Sequence, residues 1–262
     1  MTRLLADRVC IVSGVGPGLG RAIALSLARE GARLVLGCRT DAVAREIAAE
    51  VEAAGAAAVP VAGDVTHPED RERLVAAAVD AFGGVDVLVN NAFATGRPGP
   101  IEGRDLGRAW RAAFEVNVFA TLALSQAVLP SMQARGGGAI VMIGTLAARK
   151  RQPGLAGYGA SKAALLAASE SLAAEVGRYK IRVNSVVPSH IDGPNLRHHI
   201  RAEAERLGVS QDEIARRIAD EGVLGHIATS EEVAEVVTFF ASDRSSAVTG
   251  QSIDVNCGQW FH

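Results

Sequence analysis

Short apolar runs alternate with longer helix-patterned stretches from one end of this chain to the other, and no other feature narrows the possible folds as much. The runs at 9–12, 34–36, 58–61, 87–89, 139–143, 183–187 and 253–255 are short, rich in β-branched residues and bounded by Gly, Pro, Asn or Asp. They read as strands. Between them, the stretches at 19–30, 41–54, 69–82, 103–134, 157–178 and 231–241 are rich in Ala and Leu with charges on one face. That is the pattern of amphipathic helices. Such alternation predicts an α/β fold, a doubly wound, mostly parallel sheet of about seven strands with helices on both faces. No linker, repeat or low-complexity stretch interrupts it, so the whole chain, 1–262, is expected to form a single domain. The segment at about 193–225 breaks the rhythm, being polar and helix-prone. An insertion at that place is expected to act as a substrate loop.

Composition narrows the partners. Lys and Arg total 27 against 29 Asp and Glu, a formal net charge of -2, which gives no electrostatic case for nucleic acid or an anionic membrane. The segment from Met1 to Asp7 is charged and lacks the apolar core of a signal peptide, and no later apolar run reads as membrane-spanning. A cytoplasmic protein acting on small molecules is the expectation. Cys10, Cys38 and Cys257 lie far apart without Cys-x-x-Cys or Cys/His spacing, so neither a disulfide frame nor a metal site is implied.

Directly after the first strand comes Ser13-Gly14-Val15-Gly16-Pro17-Gly18-Leu19-Gly20-Arg21, which then opens a helix. Glycines there admit unusual backbone angles and let a pyrophosphate approach the free amides of the helix N-terminus. Placed in the first strand-turn-helix of an alternating chain, the turn predicts dinucleotide binding. An acidic residue at the end of the second strand would bind a ribose 2′-hydroxyl. This chain has Gly37-Cys38-Arg39-Thr40 there, with no carboxylate and with a guanidinium suited to a 2′-phosphate.

Tyr158 and Lys162 lie four residues apart in a run that reads as helix, so both polar tips emerge on one face. A phenol is a poor base at neutral pH until a fixed positive charge stabilises the phenolate. The pair is therefore able to move a proton to or from an alcohol oxygen. Taken alone it also suits, more simply, the polar face of an amphipathic helix.

Together, Gly14-x-x-x-Gly18-x-Gly20 and Tyr158-x-x-x-Lys162 resemble the short-chain dehydrogenase/reductase family, and the resemblance runs from roughly Arg8 to Gly258. Asp64-Val65 after the third strand matches the family's adenine contact. Asn90-Asn91-Ala92 after the fourth resembles its Asn-Asn-Ala-Gly motif, which shapes the cofactor cleft, with Phe93 in place of the glycine. Asn117 matches the helix asparagine, and Thr145 stands where the family has serine. Pro188-Ser189-His190-Ile191 resembles the Pro-Gly-x-Ile/Val turn beside the nicotinamide, with Ser189 for Gly, and Gly193 stands where a threonine often touches the cofactor phosphate.

The resemblance implies a Rossmann-type fold and an NAD(P)(H)-dependent oxidoreductase that passes hydride between nicotinamide and a secondary alcohol or ketone. It makes Tyr158 the acid or base on the substrate oxygen. Lys162 would bind the nicotinamide ribose and lower the phenol pKa, Thr145 would hydrogen-bond the substrate oxygen, and the Asn117 backbone would hold a water leading from Lys162 to solvent. Gly14, Gly18, Leu19, Gly20, Arg39, Asp64, Val65, Asn91, Ala92 and Ile191 would complete the cofactor site. An Arg at the place of Arg39 goes with NADP(H) in the family, so NADP(H) is expected, with NAD(H) the alternative. Relatives assemble as tetramers or dimers through the helices at 103–134 and 157–178. The apolar ending Gln259-Trp260-Phe261-His262 would either dock on a neighbour or fold back on its own chain.

Two other classes stay open. A noncatalytic relative that binds dinucleotide for regulation would be expected to lack Tyr158 or Lys162, and a non-redox relative using the Thr-Tyr pair would be expected to lack the glycine turn; all are present. Arg149-Lys150-Arg151 and Arg197-His198-His199-Ile200-Arg201 either attract an acidic substrate or form solvated faces balanced by Glu203, Glu205, Asp212 and Glu213. His190 is expected to shape the pocket.

Overall fold

The computed structural model describes residues 3–261; Met1, Thr2 and His262, which belong to the termini read above, lie outside the described residues. Its first half runs β1 (Val9–Ser13), α1 (Leu19–Arg29), β2 (Arg33–Cys38), α2 (Asp41–Ala53), β3 (Ala58–Ala62), α3 (Pro68–Phe82) and β4 (Val87–Asn90). Then come α4 (Leu106–Phe114), a π-helical turn (Glu115–Ala120), α5 (Thr121–Ala134), β5 (Gly138–Ile143), α6 (Ala156–Val176) and β6 (Ile181–Pro188). The chain closes with β7 (Ile191–Asp192), α7 (Pro194–Leu207), α8 (Gln211–Asp220), β8 (Ala228–Thr229), α9 (Ser230–Ala241) and β9 (Ser252–Val255).

Seven strands form one parallel sheet in the order β3-β2-β1-β4-β5-β6-β9. Strand periodicity explains why both faces are covered. In β1, Cys10 and Val12 join one core layer while Val9 and Ile11 join the other, and β4 and β5 divide their residues in the same way. The first layer receives Ile23 and Leu27 of α1, Ile47 and Val51 of α2, and Val237 and Phe240 of α9. The second receives Leu74 of α3, Leu124, Val128 and Met132 of α5, and Leu165 and Val176 of α6. Strands buried on both faces must be continuously apolar, which is why the sequence shows runs rather than alternation.

The strand order reverses between β1 and β4, which are neighbours in the sheet. That reversal opens a crevice at the carboxyl ends of the strands, where open α/β sheets bind ligands. The insertion resolves into α7 and α8 with a small core of Leu196, Ile200, Ala204 and Ile214. Its ends are tied by the two-residue pair β7 and β8, too short for periodicity to reveal.

The stretch read as one helix at 103–134 starts at Leu106 and carries the π turn in its middle. By length and composition Leu106–Ala134 also reaches what a membrane span needs, which corrects the expectation that no run does. Here its apolar side chains Leu124, Val128 and Met132 are buried against the sheet.

Candidate active site

The glycine turn forms the floor of the crevice. Gly14 adopts φ +84°, and a Cβ there would overlap the backbone of Ala92; only glycine meets both demands. A Cβ on Gly20 would fall 2.7 Å from the Gly14 carbonyl oxygen, so this second glycine lets α1 pack onto the turn. Asn91 Nδ2 donates to that carbonyl at 2.6 Å, tying the end of β4 to the turn after β1. The N-terminus of α1, at Gly18, has no side-chain cap, which leaves its first amides and the positive end of the helix dipole for an anion.

Two cavities of about 650 and 580 Å³ share Gly14, Gly16, Pro17, Asn91, Phe93 and Thr95 in their walls, making one continuous cleft. Arg39, Asp64, Val65 and Ala92 line one end; Leu19, Thr145, Tyr158, Lys162 and Ile191 line the other. The volume of this cleft, its uncapped helix and the glycine cradle fit a dinucleotide. At the first end, burial works against the charge of Asp64. Hydrogen bonds from Thr66, whose N–H donates at 2.9 Å and Oγ1 at 2.8 Å, and the positive charge of Arg39 together hold its carboxyl below the usual carboxylate range.

At the other end, α6 delivers the phenol and the amine while the loop after β5 delivers Thr145. Their meeting depends on Gly159, where a Cβ would stand 2.7 Å from the Ala147 carbonyl oxygen. Gly159→Ala must therefore push α6 off the loop that carries Thr145. It is expected to cost about 1–3 kcal/mol of stability by overpacking, read by urea unfolding, and to lower kcat about tenfold or more by misplacing the two hydroxyls; full activity would show that their spacing does not matter.

Burial pushes the Tyr158 phenol pKa up, and a hydrogen bond with Thr145 offsets part of that rise. Lys162 is only 2% exposed. Its Nζ donates to the Ile143 carbonyl at 2.6 Å, and burial pulls its pKa down to about 7. The expected lowering of the phenol by Lys162 is thus absent from this geometry, because the amine is turned to a β5 carbonyl and has lost much of its preference for the charged form. The Thr145 and Tyr158 hydroxyls are within hydrogen-bonding reach of each other.

Asn117, fully buried, sits in the π turn, a device that often marks functional positions in helices. Its Oδ1 accepts from Ala94 N–H at 2.9 Å, and its Nδ2 donates to Ala94 O at 2.8 Å and to Ser161 Oγ at 2.9 Å. Ser161 Oγ in turn donates to the Tyr158 carbonyl at 2.8 Å. Asn117 therefore clamps the loop after β4 against the helix that carries Tyr158. Sequence reasoning missed Ser161 and the Ile143 carbonyl, since a serine inside an Ala-rich helix and a main-chain oxygen carry no distinguishing signal.

Above the cleft, Gln152, Leu155, Asn195, Leu196 and His199 close the mouth. A Cβ on Gly18 would lie 3.8 Å from Pro194 Cδ, so the start of α7 abuts the glycine turn. The two basic segments are largely neutralised, though not by the expected carboxylates: Arg197 pairs with Asp192 at 3.1 Å, Lys150 with Glu221 at 3.2 Å and Arg149 with Asp254 at 3.2 Å. Glu203 and Glu213 are instead engaged by Arg206 and Arg217. In the tail, Gln259 bonds to Ser189 and Glu221 of its own chain.

A family model described as enoyl-(acyl carrier protein) reductase matches residues 14–259. The chain is 34% identical over 260 residues to dehydrogenase/reductase SDR family member 4 of Oryctolagus cuniculus, covering 97% of this chain and 94% of that protein. L-Sorbose reductase from Gluconobacter frateurii, solved with NADPH and L-sorbose, superimposes with a TM-score of 0.92 at 33% identity, covering 99% of this chain and 98% of that one. A 7α-hydroxysteroid dehydrogenase, solved with NADH and 7-oxo glycochenodeoxycholic acid, superimposes with a TM-score of 0.87 at 29% identity, covering 98% and 96%. With a near-full-length family match joined to the parallel sheet, the glycine cradle and the Thr145–Tyr158 pairing, this chain belongs to the short-chain dehydrogenase/reductase family.

Proposed function

We propose that the protein is an NAD(P)(H)-dependent oxidoreductase interconverting a secondary alcohol and a ketone. The observation that carries this reading is that Thr145, Tyr158 and Lys162 face the same cleft as the glycine turn. A nicotinamide cofactor bound there supplies or accepts the hydride. Gly14, Gly18, Leu19 and Gly20 would hold its pyrophosphate against α1, Asp64, Val65, Asn91 and Ala92 its adenosine half, and Ile191 its nicotinamide end. In reduction, the raised phenol pKa of Tyr158 keeps a proton on Oη at neutral pH, ready for the oxygen that gains charge. Thr145 donates a second hydrogen bond to that oxygen, and its methyl narrows the space around it. Lys162 stands one helical turn from Tyr158 and binds ribose. The Asn117 clamp keeps Ser161, and with it the Tyr158 turn of α6, in place.

Glycine turn, phenol and amine are all retained, which weighs against both the noncatalytic and the non-redox readings. Oxidation of NADPH and NADH by the purified protein across a ketone panel tests the reading; cofactor binding without turnover on any ketone would move it to the noncatalytic class.

Arg39 is exposed at the adenosine end of the cleft, and this supports a preference for NADP(H). Its guanidinium would pair with the 2′-phosphate. Arg39→Asp is expected to reverse the preference, lowering kcat/KM for NADPH by about 10²-fold through loss of a charge-assisted contact and gain of a repulsion. A wild type that prefers NADH sinks this assignment.

A further inference from the structure

Phe93 occupies the place where the motif that this loop resembles carries a glycine, and the structure gives its side chain an unusual position. The residue lies at the junction of the two cavities and lines both. Its ring centroid stands 6.4 Å from that of Tyr158 at an interplanar angle of 54°. Half of the residue, 50%, is exposed, although it borders a phenol that is largely buried. The ring is not on a loose loop, because the next residue, Ala94, has both its N–H and its carbonyl bonded to the side chain of buried Asn117. The loop that carries the ring is thus anchored, and an aromatic face borders Tyr158.

We propose that Phe93 is a specificity-determining residue, an aromatic platform for a flat apolar group attached to the reacting carbonyl carbon. The inference rests on the hydride-transfer reading above. A carbonyl oxygen bonded to both Thr145 and Tyr158 places one of its flanking substituents beside the ring that borders Tyr158. An aryl or alicyclic group there covers the exposed half of Phe93 and gains the stacking and burial of an aromatic contact. A chain of hydroxyl groups in the same place gives up water against a surface that offers it no hydrogen bond. The substrate class is therefore a ketone or secondary alcohol with a ring next to the reacting carbon, its farther end reaching Gln152, Asn195 and His199 at the mouth. A glycine in place of Phe93 would leave that substituent facing open cleft.

Acetophenone and L-sorbose serve as probes, with kcat/KM measured for the wild type, Phe93→Gly and Phe93→Tyr, and equilibrium binding of each ketone to the cofactor-loaded proteins followed by NMR titration. The wild type is expected to prefer acetophenone. In Phe93→Gly the ratio of acetophenone to sorbose efficiency falls about tenfold, mainly through KM, and the binding ratio falls with it; Phe93→Tyr, which keeps the ring, retains the wild-type ratio. An unchanged ratio in Phe93→Gly, or a fall in Phe93→Tyr as large as that in Phe93→Gly, overturns the proposal. If the wild type binds both ketones and reduces neither, the binding ratios still decide the role of Phe93, and it is the hydride-transfer reading that falls.

Discussion

Tyr158→Phe is expected to lower kcat/KM for ketone reduction by about 10³-fold, with the loss falling on kcat. The substitution removes one oxygen and keeps the ring, so packing against Phe93 and the course of α6 are preserved. What disappears is the proposed proton donor, together with the hydrogen bond that ties it to Thr145. The residual rate reports what Thr145 and the positioning of substrate achieve without proton transfer. Steady-state kinetics with a saturating cofactor checks this; a loss of less than about tenfold would mean that the proton comes from elsewhere, such as solvent.

Lys162→Met has the second large effect, and it acts on stability as well as rate. The buried amine has a pKa of about 7 in the folded protein against 10.5 for an ordinary lysine. Between those values the unfolded chain binds more protons than the folded one, so stability rises with pH across this window. Below it, both states are charged and the fold carries the full penalty of the buried ammonium. Methionine is apolar and of similar length, and it removes this dependence. The wild-type unfolding free energy, minus that of Lys162→Met, is therefore expected to climb between pH values of about 7 and 9 in urea titrations. A flat difference would show that the amine stays charged throughout. Activity is expected to fall about 10²-fold in the same variant, because the proposed ribose ligand is removed and the Ile143 carbonyl is left without the donor it has at 2.6 Å.

The residues that announced this site do so through local rules. A glycine at φ +84° needs no partner to be recognised in sequence, and Tyr158 and Lys162 advertise a common face by spacing alone. The seven strands were legible because burial on both sides of a parallel sheet forces short apolar runs. What escaped depends on residues far apart in the chain. The Lys162 amine meets a main-chain oxygen of β5, and its resulting pKa follows from burial among elements that the sequence does not place. Asn117 was found by register, but its clamp on Ala94 and Ser161 requires the π turn, which leaves no compositional trace. The basic segments were legible as charge but not as pairs, since Asp192, Glu221 and Asp254 reach them through the fold. Phe93 was visible only as a departure from a motif. Its meaning came from the ring it faces.

In the proposed function, hydride passes directly between a nicotinamide and a carbonyl carbon in this cleft while Tyr158 handles the proton. Reduction of a ketone with NADPH deuterated at the transferable position, followed by mass spectrometry of the alcohol, tests it most directly. One deuterium is expected on the carbinol carbon of the wild-type product, and product at about 10⁻³ of that rate from Tyr158→Phe. Alcohol formed without deuterium from the transferable position, or formed as fast by Tyr158→Phe, would contradict it.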